Sequence, residues 1–192
     1  MKYTQQPVFP SLIHIIETDL DTDIKPFCYE VKEQNPDSVL QSNYGGWQSK
    51  PALGQDNDLI RHKLYKIFDE TINKLLIGRV IIDGWWININ GHGSFNLSHN
   101  HPNCDLAGVY YVQVPKDSGV IYFENPHNFY ARNELDNYTP DAKTGLSQGI
   151  DSSCQPTEGM LLVFPSYLRH GVSLNASQED RISISFNLRV IG

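Results

Sequence analysis

Length, composition and charge exclude several classes of protein. The chain has 192 residues, a net charge of −7 and three cysteines at unrelated spacings. This length suits one domain around a single core, and the negative charge argues against a surface for nucleic-acid phosphates. No apolar stretch approaches the roughly 20 residues that span a bilayer. Because the cysteines form no disulfide framework and the first ten residues lack the apolar region of a signal peptide, we expect a cytoplasmic protein.

The first third of the chain predicts one strand and two helices. Residues 6–16 alternate loosely and predict an edge strand. Residues 19–33 begin with Asp and Thr, which are capping residues, and predict the first helix. Residues 58–76 place apolar side chains three and four apart, which predicts a second helix that ends at Gly78. Between the helices, residues 42–54 are rich in Gly and Pro and predict an irregular loop.

After residue 79 the apolar period changes to two. Five segments read as strands, separated by clusters of Gly, Pro, Asn and Asp: 79–90, 108–114, 119–125, 159–165 and 181–190. Helices followed by several short strands predict a mainly β fold with flanking helices. The order is typical of a double-stranded β-helix (jelly roll) preceded by two N-terminal helices packing on one sheet.

The same pattern predicts how the chain is divided. We expect a single domain over residues 1–192, with a helical support region at 1–78 and a jelly-roll core at 79–192. Within this core, residues 125–156 have little apolar periodicity and form a long insertion.

Three histidines are candidate metal ligands. His99 and His101 precede the strand predicted at 108–114. If they begin that strand, a spacing of two places both imidazoles on one face. Histidine is the commonest metal ligand and suits Fe, Zn, Cu and Ni. His170, which follows the strand at 159–165, is the candidate third ligand.

The last predicted strand has a polar face and an apolar face. Its polar side chains are Arg181, Ser183, Ser185 and Asn187. This face is either exposed to water or lines the interior of a barrel. In the second case Arg181 offers a two-pronged guanidinium to a carboxylate, and Ser183 offers a hydroxyl beside it. A metal and a carboxylate anchor together suit a 2-oxo dicarboxylate, whose 2-oxo acid end chelates the metal.

These motifs resemble the Fe(II)/2-oxoglutarate-dependent oxygenases. The resemblance rests on the HNHP box, the AGVYYV strand, the distal His170 and the pair Arg181 and Ser183 eleven residues beyond it. It covers about residues 40–192. It is strongest for a small stand-alone branch in which SNYGGWQS recurs, and more distant for the prolyl hydroxylases.

The resemblance carries implications for function. It implies a dioxygenase with Fe(II) as cofactor and 2-oxoglutarate as co-substrate, and it allows ascorbate as an additional cofactor. The implied reaction hydroxylates a protein side chain or a small molecule and yields succinate and CO2. It further implies that Tyr111 reaches the far carboxylate of the co-substrate, the alternative being that Tyr111 packs in the core.

One ligand departs from the family pattern. Where the family has a carboxylate, this chain has His101. Either His99, His101 and His170 form a three-histidine site, or Asp105 supplies the carboxylate, or the protein binds iron weakly and is a non-catalytic jelly-roll binding module. A three-histidine site is also typical of cupin-type metal oxygenases, which would give Arg181 and Ser183 no role.

The primary substrate is not determined by these residues. Loops at the rim of a rigid barrel usually supply substrate contacts, so residues 125–156 and 44–47 are candidates. Asn88 and Asn90 share a face of their strand and either line the barrel or lie near a turn, whereas Trp85 and Trp86 are predicted to pack in the core and cover the sheet. As partners we expect the small-molecule co-substrate and O2, without nucleic acid or membrane. An exposed sheet edge would allow a homodimer.

Overall fold

The fold is built from strands in two sheets and two helices. The computed structural model describes residues 2, 11–19, 23–51, 58–127, 137, 139 and 151–192. The helices are α1 (Ile24–Gln34) and α2 (Asp58–Glu70), and α2 is followed by a short 3₁₀ helix (Ile72–Lys74). The strands are β1 (His14–Glu17), β2 (Asn43–Tyr44), β3 (Trp47–Gln48), β4 (Arg79–Asn90), β5 (Phe95–His99), β6 (Leu106–Gln113), β7 (Ile121–Glu124), β8 (Asp151–Cys154), β9 (Met160–Pro165), β10 (His170–Val172) and β11 (Arg181–Ile191).

All the strand pairs that the structure describes are antiparallel. The six-stranded sheet has the order β1-β9-β6-β11-β4-β3, and the five-stranded sheet has the order β2-β5-β10-β7-β8. From β4 to β11 the strands alternate between the two sheets, except that β7 and β8 pair within the smaller sheet, and this order is consistent with a jelly roll. The prediction of a mainly β fold with two helices is therefore confirmed.

The outer face of the six-stranded sheet carries the larger apolar cluster. β4 and β11 pair from Arg79 opposite Ile191 to Asn90 opposite Arg181. On one face of this pair, alternate apolar side chains share a cluster with buried residues of α1 and α2. In that cluster, the rings of Phe68 and Phe186 meet edge to face with centroids 5.5 Å apart. Burial on this face leaves the opposite, polar face of β11 directed toward the second sheet.

A second apolar cluster fills part of the space between the sheets. It contains Ala107, Val109, Tyr111, Ile121, Phe123, Met160, Leu162, Phe164 and Leu168. These residues come from β6 and β9 of the larger sheet, from β7 of the smaller sheet and from the segment after β9. The rest of the space between the sheets is lined by polar side chains and forms the cavity described below.

Several local features differ from the sequence prediction. The segment predicted as an irregular loop contains β2 and β3, which are two residues each and too short to show periodicity. Gly45 connects them with a φ of +71°, a conformation that glycine adopts readily. β8 lies in the predicted insertion, most of which (128–136, 138 and 140–150) lies outside the described residues. β1 forms at the edge of its sheet, and the earlier part of that prediction (6–10) is likewise outside them.

Within the same described ranges, no helix combines the length and the apolar character needed to cross a membrane.

Candidate active site

A cavity of about 360 Å³ lies between the two sheets and brings the predicted site residues together. His99, His101 and His170 all line it, and so do Arg181, Ser183 and Tyr111. The polar face of β11 therefore lines the interior of the fold and is not a water-exposed face. The alternative in which Arg181 and Ser183 point into solvent is wrong, since Arg181 is only 2% exposed and Ser183 9%.

His99 and His170 are direct neighbours across two strands. His99 is the last residue of β5 and His170 the first of β10, and their Cα atoms are paired in the antiparallel register. Two residues further along β10, Val172 is paired with Asn96, so β5 contains one residue more than its partner. Such a β-bulge changes which face the following side chains occupy. The bulge allows both Asn96 and His99, three residues apart, to line the cavity.

His101 reaches the cavity from a turn. The expectation that His99 and His101 begin the following strand is wrong, because His99 ends β5 and β6 starts only at Leu106. Pro102 and Asn103 follow His101, and Asn103 has a φ of +70°. Proline followed by a residue with positive φ is typical of a type II turn. The two imidazoles converge because of this turn and the bulge, and not because of strand alternation.

Each of the three imidazoles has its Nδ1 atom bonded to an oxygen that only accepts. The acceptors are the Leu97 carbonyl for His99 (2.8 Å), the Asn187 side-chain Oδ1 for His101 (2.8 Å) and the Leu168 carbonyl for His170 (2.9 Å). In each neutral ring the proton therefore lies on Nδ1, and the Nε2 lone pair is free to bind a cation. This arrangement is common for histidines that bind metals.

The free nitrogens are spaced as ligands of one ion. The Nε2 atoms of His101 and His170 are 3.3 Å apart, and one nitrogen from each of the three rings lies within 4.8 Å of the others. Two nitrogens that are each about 2.1 Å from one ion lie about 3.0 Å apart at a right angle and about 3.4 Å apart at the tetrahedral angle. Because neither Nε2 carries a proton, the two lone pairs repel each other unless a cation lies between them. The residues present fit a metal ion.

The surroundings keep these imidazoles neutral. Burial lowers the pKa of His101 to about 4, with a further contribution from His99. Burial also lowers the pKa of His170 to about 3, and it lowers the pKa of His99. The Phe164 ring packs edge to face on His170 at 4.6 Å between centroids. At neutral pH all three rings are therefore in the form that binds metal.

Asp105 does not join the histidine cluster. Its carboxylate Oδ2 accepts a hydrogen bond of 2.8 Å from the backbone N–H of Val190, near the far end of β11. Among the described residues, the group able to hold a metal consists of His99, His101 and His170 alone. The geometry thus favours the three-histidine alternative over the carboxylate alternative.

Arg181 is a buried cation, and no carboxylate of the described residues pairs with it. Its Nη1 donates to the carbonyl oxygens of Ser118 and Ser173. Its Nη2 is buried and makes no hydrogen bond, and in the described ranges no carboxylate pairs with it. Burying an unpaired charge is costly unless a ligand compensates it. The guanidinium is therefore set to receive an anionic group in the cavity.

Ser183 and Tyr111 lie beside Arg181. Ser183 is two residues along β11 from Arg181 and is paired across the sheet with Tyr111 of β6. Burial raises the pKa of Tyr111, and the nearby Arg181 charge opposes this effect without outweighing it. Tyr111 belongs to the apolar cluster between the sheets and also lines the cavity. Tyr111 thus packs in the core and also lines the site, so each of the two alternatives holds in part.

Two residues that contact His101 were missed by sequence reasoning. Trp86, predicted to cover the sheet, lines the cavity and stacks on His101 with ring centroids 5.8 Å apart at 22°, whereas Trp85 is in the core as predicted. Asn187 was seen only as part of a polar strand face, yet it is the hydrogen-bond partner of His101. Both contacts join segments far apart in the sequence, so no local pattern could reveal them.

The remaining polar lining consists of amides and hydroxyls. Asn88 donates to Ser185 Oγ at 3.0 Å, and Asn90 donates to Asn96 Oδ1 at 3.0 Å. Asn90 Oδ1 is itself buried without a partner. Thus Asn88 and Asn90 line the interior, as one of the two alternatives predicted. Apart from Arg181 and the histidines, none of the described lining side chains is charged.

Comparison with known proteins identifies the family. A family model described as "Putative 2OG-Fe(II) oxygenase" matches residues 84–187, which is just over half of the chain. The chain belongs to this family of oxygenases. Fe(II) and 2-oxoglutarate are the cofactor and co-substrate of the family, so the predicted family, cofactor and co-substrate are confirmed. The matched residues of this oxygenase include all three histidines, Arg181 and Ser183. No curated protein matches the sequence.

Solved structures share the fold of the oxygenase at low sequence identity. A prolyl-4-hydroxylase from Pseudomonas putida is 16% identical with a TM-score of 0.63, over 94% of this chain and 93% of that one. A prolyl hydroxylase from Trichoplax adhaerens, in complex with a peptide fragment of hypoxia inducible factor, is 13% identical with a TM-score of 0.63 over 93% and 82%. HygX from Streptomyces hygroscopicus, with nickel, 2-oxoglutarate and hygromycin B bound, is 12% identical with a TM-score of 0.59 over 93% and 82%.

Proposed function

We propose that this oxygenase holds Fe(II) through the Nε2 atoms of His99, His101 and His170 and hydroxylates a C–H bond of its primary substrate. The single observation that carries the proposal is the convergence of the three rings, in which His101 Nε2 and His170 Nε2 lie 3.3 Å apart. A cation between them would convert a repulsive contact into two bonds. The site therefore has three histidine ligands where the family pattern has two histidines and a carboxylate.

We assign the co-substrate to Arg181, the charged side chain among the described residues that line the cavity. Arg181 would bind the far carboxylate of 2-oxoglutarate through its unpartnered Nη2, and the hydroxyls of Ser183 and Tyr111 would bond to the same carboxylate. The support is that Arg181 is buried, that no carboxylate of the described residues pairs with it, and that it lines the same cavity as the histidines. A cupin-type oxygenase without a co-substrate would leave this charge uncompensated.

Each protein group has a defined task in this scheme. When bound, Fe(II) supplies the activation of O2 that couples oxidation of 2-oxoglutarate to succinate and CO2 with oxidation of a substrate C–H bond. The histidines hold their nitrogens in fixed directions through their Nδ1 hydrogen bonds. Arg181 orients the co-substrate and neutralises one of its charges. The apolar residues between the sheets, including Phe164 and Val109, exclude water from the site.

The lining of the cavity supports a neutral substrate. Its walls present the amides of Gln41, Gln48, Asn88, Asn90, Asn96 and Asn100 and the hydroxyls of Ser42, Ser98 and Ser185. Such groups bind hydrogen-bonding parts of a molecule without requiring a charge. Either a protein side chain or a small molecule fits this chemistry, and the similar folds hold a peptide in one case and hygromycin B in another.

Anaerobic titration tests the metal and co-substrate together. Adding 2-oxoglutarate to the Fe(II)-loaded protein should produce a metal-to-ligand charge-transfer absorption band, and the His170→Ala variant should not show it. Stoichiometric iron without the band would favour the cupin-type alternative. No stoichiometric first-row metal after reconstitution would favour the non-catalytic binding module. Succinate release measured across peptides and metabolites would then find the primary substrate.

A further inference from the structure

We propose that Asn187 is a positioning residue for the metal centre. Its side-chain oxygen accepts the Nδ1–H of His101 and thereby directs the Nε2 of that ring toward His99 and His170. The inference rests on the proposed function of the three histidines as ligands. It explains how a histidine can act where the family pattern has a carboxylate.

His101 differs from the other two ligands in how its ring is held. His99 and His170 lie at strand ends and donate to the backbone carbonyls of Leu97 and Leu168, each two residues earlier in the chain. His101 follows β5 in a turn and donates to a side chain 86 residues away. Its orientation is therefore not determined by its own segment, and it depends on the contact with Asn187.

The position of Asn187 suits this task. It lies on β11 opposite Gly84, at the point where β4 contains one residue more than β11. A Cβ added at Gly84 would meet no atom within 4 Å, so the space around this position is open. Trp86 of β4 stacks on the His101 ring. The hydrogen bond to Asn187 thus fixes the side on which Nδ1 of the imidazole lies, and stacking on Trp86 restrains the plane of the ring.

Strand β11 then contributes to both parts of the site. Arg181 and Asn187 lie on the same face of β11, six residues apart. Arg181 serves the co-substrate, and Asn187 serves the metal through His101. Because an amide oxygen is neutral, Asn187 orients His101 without adding the negative charge that the family carboxylate would supply. An aspartate at 187 would keep the acceptor and add a negative charge next to the site.

A metal titration of matched variants tests the inference. Co(II) is added to the metal-free protein without oxygen, and its d–d absorption reports affinity and coordination geometry. Asn187→Leu should weaken Co(II) binding by about 10- to 100-fold, which is the usual effect of removing the partner of a metal-bound histidine. Asn187→Asp should bind at least as tightly as the wild type, with a changed d–d spectrum.

Asn73→Ala is the matched control. Asn73 is also half-buried, and its side-chain oxygen accepts from Val80 N–H at 2.8 Å, away from the histidines. We expect this variant to keep wild-type Co(II) affinity even if its thermal stability falls. Equal affinity in Asn187→Leu and the wild type would overturn the positioning role alone. No Co(II) binding by the wild type would overturn the proposed metal centre, and this inference with it.

A second measurement needs no variant. In ¹⁵N-labelled, metal-free wild-type protein, NMR should show His101 as the Nδ1–H tautomer at neutral pH. The Nε2–H tautomer would contradict the hydrogen bond to Asn187, even if Asn187→Leu fails to fold.

Discussion

Replacing Arg181 by methionine should weaken the binding of 2-oxoglutarate and change the stability of the folded protein little. The guanidinium offers one unpartnered group, Nη2, to a ligand in the cavity. A hydrogen bond to a charged group contributes about 1.5–3 kcal/mol. Loss of this bond should therefore raise the Kd of 2-oxoglutarate by about 10- to 150-fold, since about 1.4 kcal/mol corresponds to a factor of ten. Arg181→Lys keeps the charge but lacks the two-pronged geometry of the guanidinium, so its Kd for 2-oxoglutarate should lie between those of the wild type and Arg181→Met.

The effect on the unliganded protein should be small. Methionine removes a buried unpaired charge, which favours the fold, but it also removes the donor to the carbonyls of Ser118 and Ser173, which opposes it. Calorimetric titration with 2-oxoglutarate, in the presence of Co(II) and without oxygen, measures the Kd, and Co(II) titration checks that the histidines are unaffected. Unchanged 2-oxoglutarate affinity in a folded Arg181→Met protein would refute the assignment of the co-substrate site.

Three further outcomes are expected. His170→Ala removes a ligand and should weaken Co(II) binding by more than the roughly 10- to 100-fold that loss of an outer partner causes. Burial raises the pKa of the Cys28 thiol to about 12. The native state therefore keeps a proton that the unfolded state loses near pH 9. The free energy of unfolding should fall between about pH 9 and 12, by at most about 1.36 kcal/mol per pH unit. Urea titrations at several pH values should show a smaller fall in the Cys28→Ala variant. Gly108→Ala places a methyl group against the Phe186 ring and should cost about 1–3 kcal/mol in the same assay, whereas Gly84→Ala should stay within about 0.5 kcal/mol.

The sequence predicted the two longest strands well. β4 coincides with the predicted 79–90 because it is rich in β-branched and aromatic residues, and β11 begins at the predicted residue because polar and apolar residues alternate from its start. The same alternation placed Arg181 and Ser183 on one face. The sequence did not show whether this polar face points into the fold or into solvent. It points into the fold because the helices cover the opposite, apolar face of β11.

The geometry of the histidines was beyond local patterns. Strand periodicity predicted that His99 and His101 share a face of one strand, but a bulge in β5 and a turn after it bring the rings together. A bulge depends on the pairing of β5 with β10, whose residues are some 70 positions later. The partner of His101 was hidden for the same reason, since Asn187 meets it only after β11 takes its place in the other sheet.

The hydrogen bond between His101 and Asn187 also joins the two sheets at the site. An ion held by all three histidines would be bonded to the end of β5, to the turn that follows and to the start of β10, all on the side of the smaller sheet. Through Asn187, the same ion would be connected to β11 at the centre of the larger sheet. Metal binding by the three histidines and the native distance between the two sheets would then be coupled, so that each would favour the other.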